Sequence, residues 1–386
     1  MNAKEGLIFD VEEGMSIAKA AAQHGVTRSC AYKWVERYRL DGLEGLEERS
    51  RRPEFNPKRV TQEVVDELVK LKKRYPDFGP AKLVLLLESS YGEHVVAVST
   101  ASQILDRHGL VQKQRRAPSI GRILHPAFEV AGAGDSMTAD FKGEFRMLNR
   151  ALCFPLTVAD PFSRFILCIR ALPSTAMSPV KAAFERIFCE HGIPRLIITD
   201  NGKPFCSSVS LGGLTQLSRW WIEQGVTPLR IERGRPQQNG IHERMHRTLK
   251  QRITRDLRPN LVSQQRCFNA FRREFNQVRP HAALGQKTPA TAYRSYRSWS
   301  SRPRSIEYDS NMDVRRVNAN GEIKWKGELI FTSDVLSGTN IGLVRVGESL
   351  LTIHYGHVQL GYLDELDGRV RNRRPEHDVV ADHASD

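Results

Sequence analysis

The chain has 386 residues, enough for two to four domains at about 150 residues each, and it carries a net charge of +14 with a pI of about 9.7. That balance points to a polyanionic partner, and the lack of any apolar run of about 18 residues excludes a helical membrane span. The six cysteines (Cys30, Cys153, Cys168, Cys189, Cys206 and Cys267) form no C-x-x-C pair and no Cys/His zinc spacing, which argues against a zinc module or disulfide framework and for a cytoplasmic, nucleoid-associated protein with reduced thiols.

The first unit, residues 1–48, reads as a helix-turn-helix. A short helix over Ser16–Gly25 ends in glycine, and a second runs over Thr27–Tyr38. Ile17, Ala20, Ala21, Val26, Ala31, Trp34 and Val35 can close one small core. Arg28, Ser29, Tyr32, Lys33 and Arg37 then face a DNA major groove, although the pattern alone also fits a plain helical hairpin. Residues 49–60 are a basic linker. Arg51 and Arg52 suit either a solvated connection or an arm lying in a minor groove.

Residues 61–118 read as a second, winged-helix-like unit of three helices, Thr61–Tyr75, Pro80–Tyr91 and Val98–Gly109, followed by another basic linker. Ser99 is the expected N-cap of the third helix and Gly109 its C-cap. Thr100, Gln103 and Arg107 point outward as candidate DNA contacts.

The third unit spans 128–298. Strands are expected over Met137–Lys142, Ala151–Ala159, Arg164–Leu172, Leu196–Thr199 and Thr227–Ile231. Helices are expected over Ser178–His191, Leu214–Gln224, Ile241–Asp256 and Ser263–Val278. The basic excess lies here: residues 121–298 hold 27 Lys/Arg against 13 Asp/Glu. Asp140 sits in an alternating strand, and Asp200 ends the apolar run Leu196–Thr199. Glu243 opens a helix on which Arg247 and Lys250 share its face. Carboxylates from two strands and one helix can converge into an oxygen-rich pocket of the kind hard divalent cations take. Asp160, before Pro161-Phe162-Ser163, is assigned to a turn and not to the metal site. His242-Glu243-Arg-Met-His246 also matches the H-E-x-x-H string of zinc proteases. No third-ligand motif accompanies it, and Asp140 and Asp200 account for Glu243 better.

Residues 305–366 carry short strands at Asp313–Val317, Glu322–Trp325, Glu328–Phe331, Asn340–Val346, Ser349–Ile353 and His357–Leu363. They are expected to form a small SH3-like β-barrel. Residues 367–386 read as a disordered polar tail.

Four stretches in order, Thr138–Gly143, Thr199–Phe205, Pro236–Lys250 and Asn276–Gly285, make the chain resemble the DDE transposases of bacterial insertion sequences, relatives of the retroviral integrases. The spacing from Asp200 to Glu243 exceeds the commonest one in that superfamily. The excess is assigned to a loop insertion at Ser207–Gly213. The resemblance implies a multidomain α/β protein with an RNase H-like core: a mixed five-stranded sheet flanked by helices, behind two all-α helix-turn-helix units. It implies that Asp140, Asp200 and Glu243 hold two Mg²⁺, with Mn²⁺ as substitute, for cleavage at terminal inverted repeats and joining of the 3′-OH ends to target DNA. Arg244, Arg247 and Lys250 would then hold DNA phosphates, and Gln238 and Asn239 would touch the DNA end. At least a dimer would assemble on double-stranded DNA, with no membrane involved. The rivals are a catalytically silent DNA-binding regulator on the same scaffold and a structure-specific nuclease. The intact acidic triad argues against the first and the two sequence-reading units against the second.

Overall fold

The computed structural model describes residues 2–48, 60–111, 132–232, 240–301 and 305–375. The chain forms two compact units, Met1–Thr61 and Gln62–Asp386. Among the described residues, no helix is long and apolar enough to cross a membrane.

The first unit holds three helices, α1 (Ala3–Glu12), α2 (Ile17–Gln23) and α3 (Arg28–Asp41). Thr27 caps α3 by accepting the Cys30 N–H at 3.4 Å. Ala20, Ala21, Ala31 and Val35 are buried as expected, while Ile17, Val26 and Trp34 are only partly covered. Helix α1 was not expected from the sequence, and it supplies Leu7 and Ile8, which complete this core with Leu46.

The second unit begins with α4 (Gln62–Arg74), α5 (Pro80–Tyr91) and α6 (Val98–Arg107), which bury Val64, Leu68, Leu83, Leu87, Ile104 and Leu105. Ser99 is not the cap of α6: Ala97 holds that position without a side-chain bond, and Ser99 lies in the first turn.

The mixed sheet follows. Its strands are β1 (Ser136–Phe141), β2 (Phe145–Arg146), β3 (Leu152–Ala159), β4 (Ile166–Leu172), β5 (Leu196–Thr199) and β6 (Thr227–Arg230). Across the sheet the order is β4-β3-β1-β5-β6, with the two-residue β2 pairing with the start of β3. β3 runs antiparallel to β1 and β4, whereas β1, β5 and β6 are parallel. Helices α7 (Met177–His191) and α8 (Gln216–Glu223) cover one face. α7 buries Val180, Ala183, Phe184, Ile187 and Phe188, a spacing of three and four that forms one apolar stripe. These meet Trp220 and the fully buried Trp221. Burying each such side chain contributes about 1.5–3 kcal/mol. Helices α9 (Gly240–Arg255) and α10 (Leu261–Gln277) bring Met245, Leu249, Ile253, Phe268 and Phe271 into a second core cluster, with Cys153, Ile166 and Ile169 of the strands.

Asp160 is wholly buried at a turn, as the sequence suggested. It accepts the N–H groups of Phe162 and Ser163 and the Tyr296 hydroxyl, at 2.9, 2.7 and 2.8 Å.

The C-terminal strands are β7 (Asp313–Arg316), β8 (Glu322–Trp325), β9 (Glu328–Phe331), β10 (Asn340–Arg345), β11 (Leu350–Tyr355), β12 (Val358–Asp364) and β13 (Arg369–Arg371). They form an open antiparallel sheet, β13-β12-β11-β10-β7, and a separate β8-β9 ribbon, so the expected closed barrel is not what the pairing gives. β13 corrects the tail reading: Val370 packs against the core of this sheet, and Arg371 is paired with Asp364 at 3.1 Å. The Ser207–Gly213 stretch is a loop whose Leu211 sits in that same core, and Gly212 N–H donates to Asn372 Oδ1 at 2.7 Å.

Candidate active site

The parallel register of β1 and β5 builds the site. Ala139 stands opposite Thr199, so the next residues, Asp140 and Asp200, leave the two central strands side by side at their carboxyl ends. That end is where crevices form in sheets of this kind. Both side chains are half-buried. The turn after Asp200 is shaped around its carboxylate. Gly202 N–H donates to Oδ1 at 3.1 Å, and a Cβ at Gly202 would stand 3.0 Å from Oδ2. Asn201 ties the turn to the end of β6 through the Ile231 carbonyl at 2.8 Å. Phe205, buried beneath it, packs on Phe141 and Trp221 at centroid distances of 5.7 and 6.1 Å.

The third carboxylate comes from α9. Glu243 lies in its first turn and is exposed, as are Arg244, Arg247 and Lys250. The opposite face is docked by His242 and His246. His242 Nε2 lies 2.7 Å from Thr138 Oγ1 on β1, and its Nδ1 lies 3.1 Å from Thr157 Oγ1 on β3. His246 Nε2 lies 2.8 Å from that same Thr157 oxygen. The Thr157 hydroxyl donates to the Asp140 carbonyl at 2.9 Å, so it accepts from both imidazoles. The Thr138 hydroxyl in turn donates to the Ala159 carbonyl at 3.1 Å. Burial lowers the His242 pKa to about 4. Burial, then the neighbouring His242 and Lys142, lowers that of His246 to about 3. Both rings are therefore neutral near pH 7. His246 Nδ1 faces Asp140 Oδ2 at 3.9 Å, which sets the first two turns of α9 at the carboxyl end of β1.

Two ligand sets meet here. Asp140, His242 and His246 offer atoms within 4.8 Å of one another. A metal on that set would have to displace the hydroxyls that already occupy His242. Asp140 and Asp200 instead follow register partners on neighbouring parallel strands, and a pair of carboxylates is donor chemistry that fits a hard divalent cation. The docking role of the histidines does not emerge from the motif search, yet the sequence holds a signal for it: 242, 245, 246, 249 and 253 repeat at helical spacing and all face inward.

Of the other expected contacts, Arg28, Ser29, Tyr32 and Lys33 are exposed along α3 and Arg37 is half-buried. Gln103 and Arg107 are exposed on α6, with Thr100 half-buried. Arg51, Arg52, Gln238 and Asn239 lie outside the described residues.

Three family models match: an integrase core domain over residues 224–289, a homeodomain-like domain over 30–105 and a helix-turn-helix domain over 4–54. An insertion element IS476 protein of Xanthomonas euvesicatoria is 25% identical over 74% of this chain and 80% of its own length. The chain is thus similar to insertion-element proteins and, over part of its length, to integrase cores. An insertion element IS407 protein of Burkholderia multivorans is 26% identical over 39% of this chain and 53% of its own length. The Gag-Pol polyprotein of woolly monkey sarcoma virus is 34% identical over 26% of this chain, a match that spans 6% of that polyprotein. The integrase core match contains Glu243 but neither Asp140 nor Asp200.

Proposed function

We propose that this chain is a transposase that binds the terminal inverted repeats of its element, cuts at the element ends and joins the freed 3′-OH groups to target DNA. The observation that carries this reading is the β1–β5 register, which sets Asp140 and Asp200 side by side next to the helix bearing Glu243. Those three carboxylates would hold two Mg²⁺, for which Mn²⁺ can substitute. When bound, such ions supply Lewis-acid stabilisation at phosphorus and lower the pKa of the attacking hydroxyl.

The chain's own residues do the rest. Helices α3 and α6 read the end sequence. Arg244, Arg247 and Lys250, exposed beside Glu243, hold the phosphodiester backbone against the carboxylates. The neutral His242 and His246 keep α9 seated, so that Glu243 does not drift from the strand carboxylates. In cleavage, a water oxygen bonds to phosphorus and the P–O3′ bond breaks, leaving a 3′-OH on the element end. In joining, that 3′ oxygen bonds to a target phosphorus and the target's P–O3′ bond breaks. Joining two ends calls for at least a dimer on DNA.

The test uses purified full chain and a labelled duplex carrying the element end, with Mg²⁺, beside Glu243→Gln. The reading predicts cut and joined products from wild type and neither from the variant, with end binding retained. Specific binding without cutting in Mg²⁺ or Mn²⁺ would make the protein a silent DNA-binding regulator.

A further inference from the structure

The stretch Asn276–Gly285 is one of the four that carry the family resemblance, yet none of its residues enters the site described above. Its start grips the sheet. Ile166 N–H donates to Asn276 Oδ1, and Asn276 Nδ2 donates to the Ile166 carbonyl, both at 2.9 Å. Just beyond α10, Arg279 reaches the turn between α4 and α5. It donates to the Asp77 carboxylate, and its guanidinium lies over the rings of Phe78 and Phe275 at 5.0 and 5.7 Å. The side chains of Asp77 and Arg279 are only 6% and 12% exposed, and Phe78 is wholly buried. Lys82 of α5 lies over the same Phe78 ring at 5.6 Å. Burial, then Arg279, pushes its pKa down to about 8.

Two cations crowded into a covered joint are costly unless the joint is held closed, and a planar guanidinium with a carboxylate and two rings is well suited to holding it. Burial lowers the pKa of Lys72 on α4, and Arg255 at the C-terminal end of α9 adds to that lowering. The helix that bears Glu243 therefore ends within electrostatic reach of α4. From Glu243 to Arg255 it rises about 18 Å, some five base-pair steps of DNA.

We propose that Asp77 and Arg279 form a latch that fixes the reading helices α4–α6 on the core and so decides which phosphodiester meets the carboxylates. Both are positioning residues, and the proposal rests on the transposase reading above. A reader that binds its sequence but is loosely joined still captures DNA. It then presents the scissile bond out of place, and misplacement of about 1 Å can cost roughly 100-fold in rate.

The experiment compares full-length wild type, Arg279→Lys, Arg279→Met, the double variant Asp77→Asn/Arg279→Met and Asp200→Asn. The double variant leaves no orphaned buried charge and so guards against simple misfolding. The probe is the duplex that wild type binds most tightly out of a random-sequence pool. Three quantities are read: its affinity, its cleavage rate in Mg²⁺ and the nick position at nucleotide resolution. The latch predicts that Arg279→Met and the double variant bind within about 3-fold of wild type but cut at least 10-fold more slowly, with nicks spread over neighbouring positions. Arg279→Lys should recover much of the single position. Asp200→Asn should cut nowhere while binding normally. Cutting at the wild-type position and rate in the double variant overturns the latch and leaves the transposase reading standing. So does a lower rate with an unchanged nick position and lost thermal stability, because the pair would then be structural only. Absence of cutting by wild type overturns the transposase reading and the latch with it.

Discussion

Replacing Thr157 with Val isolates the docking of α9 on the sheet. The change keeps shape and β propensity and removes one hydroxyl. That hydroxyl serves the Asp140 carbonyl, His242 Nδ1 and His246 Nε2, at 2.9, 3.1 and 2.8 Å. Each buried polar group left without a partner costs about 1–3 kcal/mol. His242 is wholly buried and bears the full penalty, whereas His246 retains some exposure and can recruit water. A loss of about 3 kcal/mol follows, which for a unit of this size lowers Tm by roughly 4 °C. Activity should fall further than stability. At a temperature where the variant is still folded, cleavage of an element-end duplex is expected to drop at least 10-fold, because Glu243 is no longer held against β1. Thr157→Ser keeps the hydroxyl and should stay close to wild type in both assays. The assays are differential scanning calorimetry and single-turnover cleavage. A Thr157→Val protein that melts and cuts like wild type would refute the reasoning, since the hydroxyl would then hold nothing.

Asn276→Ala removes both bonds to Ile166 and is expected to destabilise the second unit by about 2 kcal/mol in urea unfolding, since the N–H and carbonyl at the start of β4 both lose their side-chain partner. The pKa of His281 is lowered to about 4 by burial, then by Lys82 and Arg279, so the unfolded chain takes up its proton more readily than the folded one. Its contribution to stability is complete above about pH 6.5 and is lost as pH falls towards 4. Tm should decline over that window and decline less in His281→Asn. Replacing Arg247 and Lys250 together with Gln should weaken binding to duplex DNA of any sequence. The slope of log affinity against log salt, measured by fluorescence anisotropy, should become shallower by about 0.9 for each phosphate that is no longer neutralised.

The parts of the site legible in the sequence were those set by short-range pattern. An apolar run that stops at Asp200 and is followed by a turn reads as a buried strand delivering a carboxylate, and β5 is that strand. Asp140 reads as part of a strand from the residue pattern of Ser136–Phe141, and the β1–β5 register sets it level with Asp200. Asp160 was separable because Pro161 and Ser163 mark a turn. What pattern could not supply was the partner of each polar group across the fold. His242 and His246 look like a ligand pair in one dimension. Only with Thr138 and Thr157 beside them do they become the seat of α9. Arg279 reads as one more cation until Asp77, some two hundred residues earlier, is brought against it. The two-residue β2 and the β13 strand escape the sequence because neither has enough residues to display a period, and β13 is held by Arg371 pairing with Asp364. The expected barrel is an open sheet, because strand count alone does not determine whether the first and last strands meet.

The most direct measurement is the location of Mn²⁺ by anomalous scattering in crystals of the full chain, supported by cleavage assays of Asp200→Asn. The account predicts density bounded by the carboxylates of Asp140 and Asp200 with Glu243 alongside, and no cutting by the variant. Density on the imidazoles of His242 and His246, or undiminished cutting by Asp200→Asn, would contradict it.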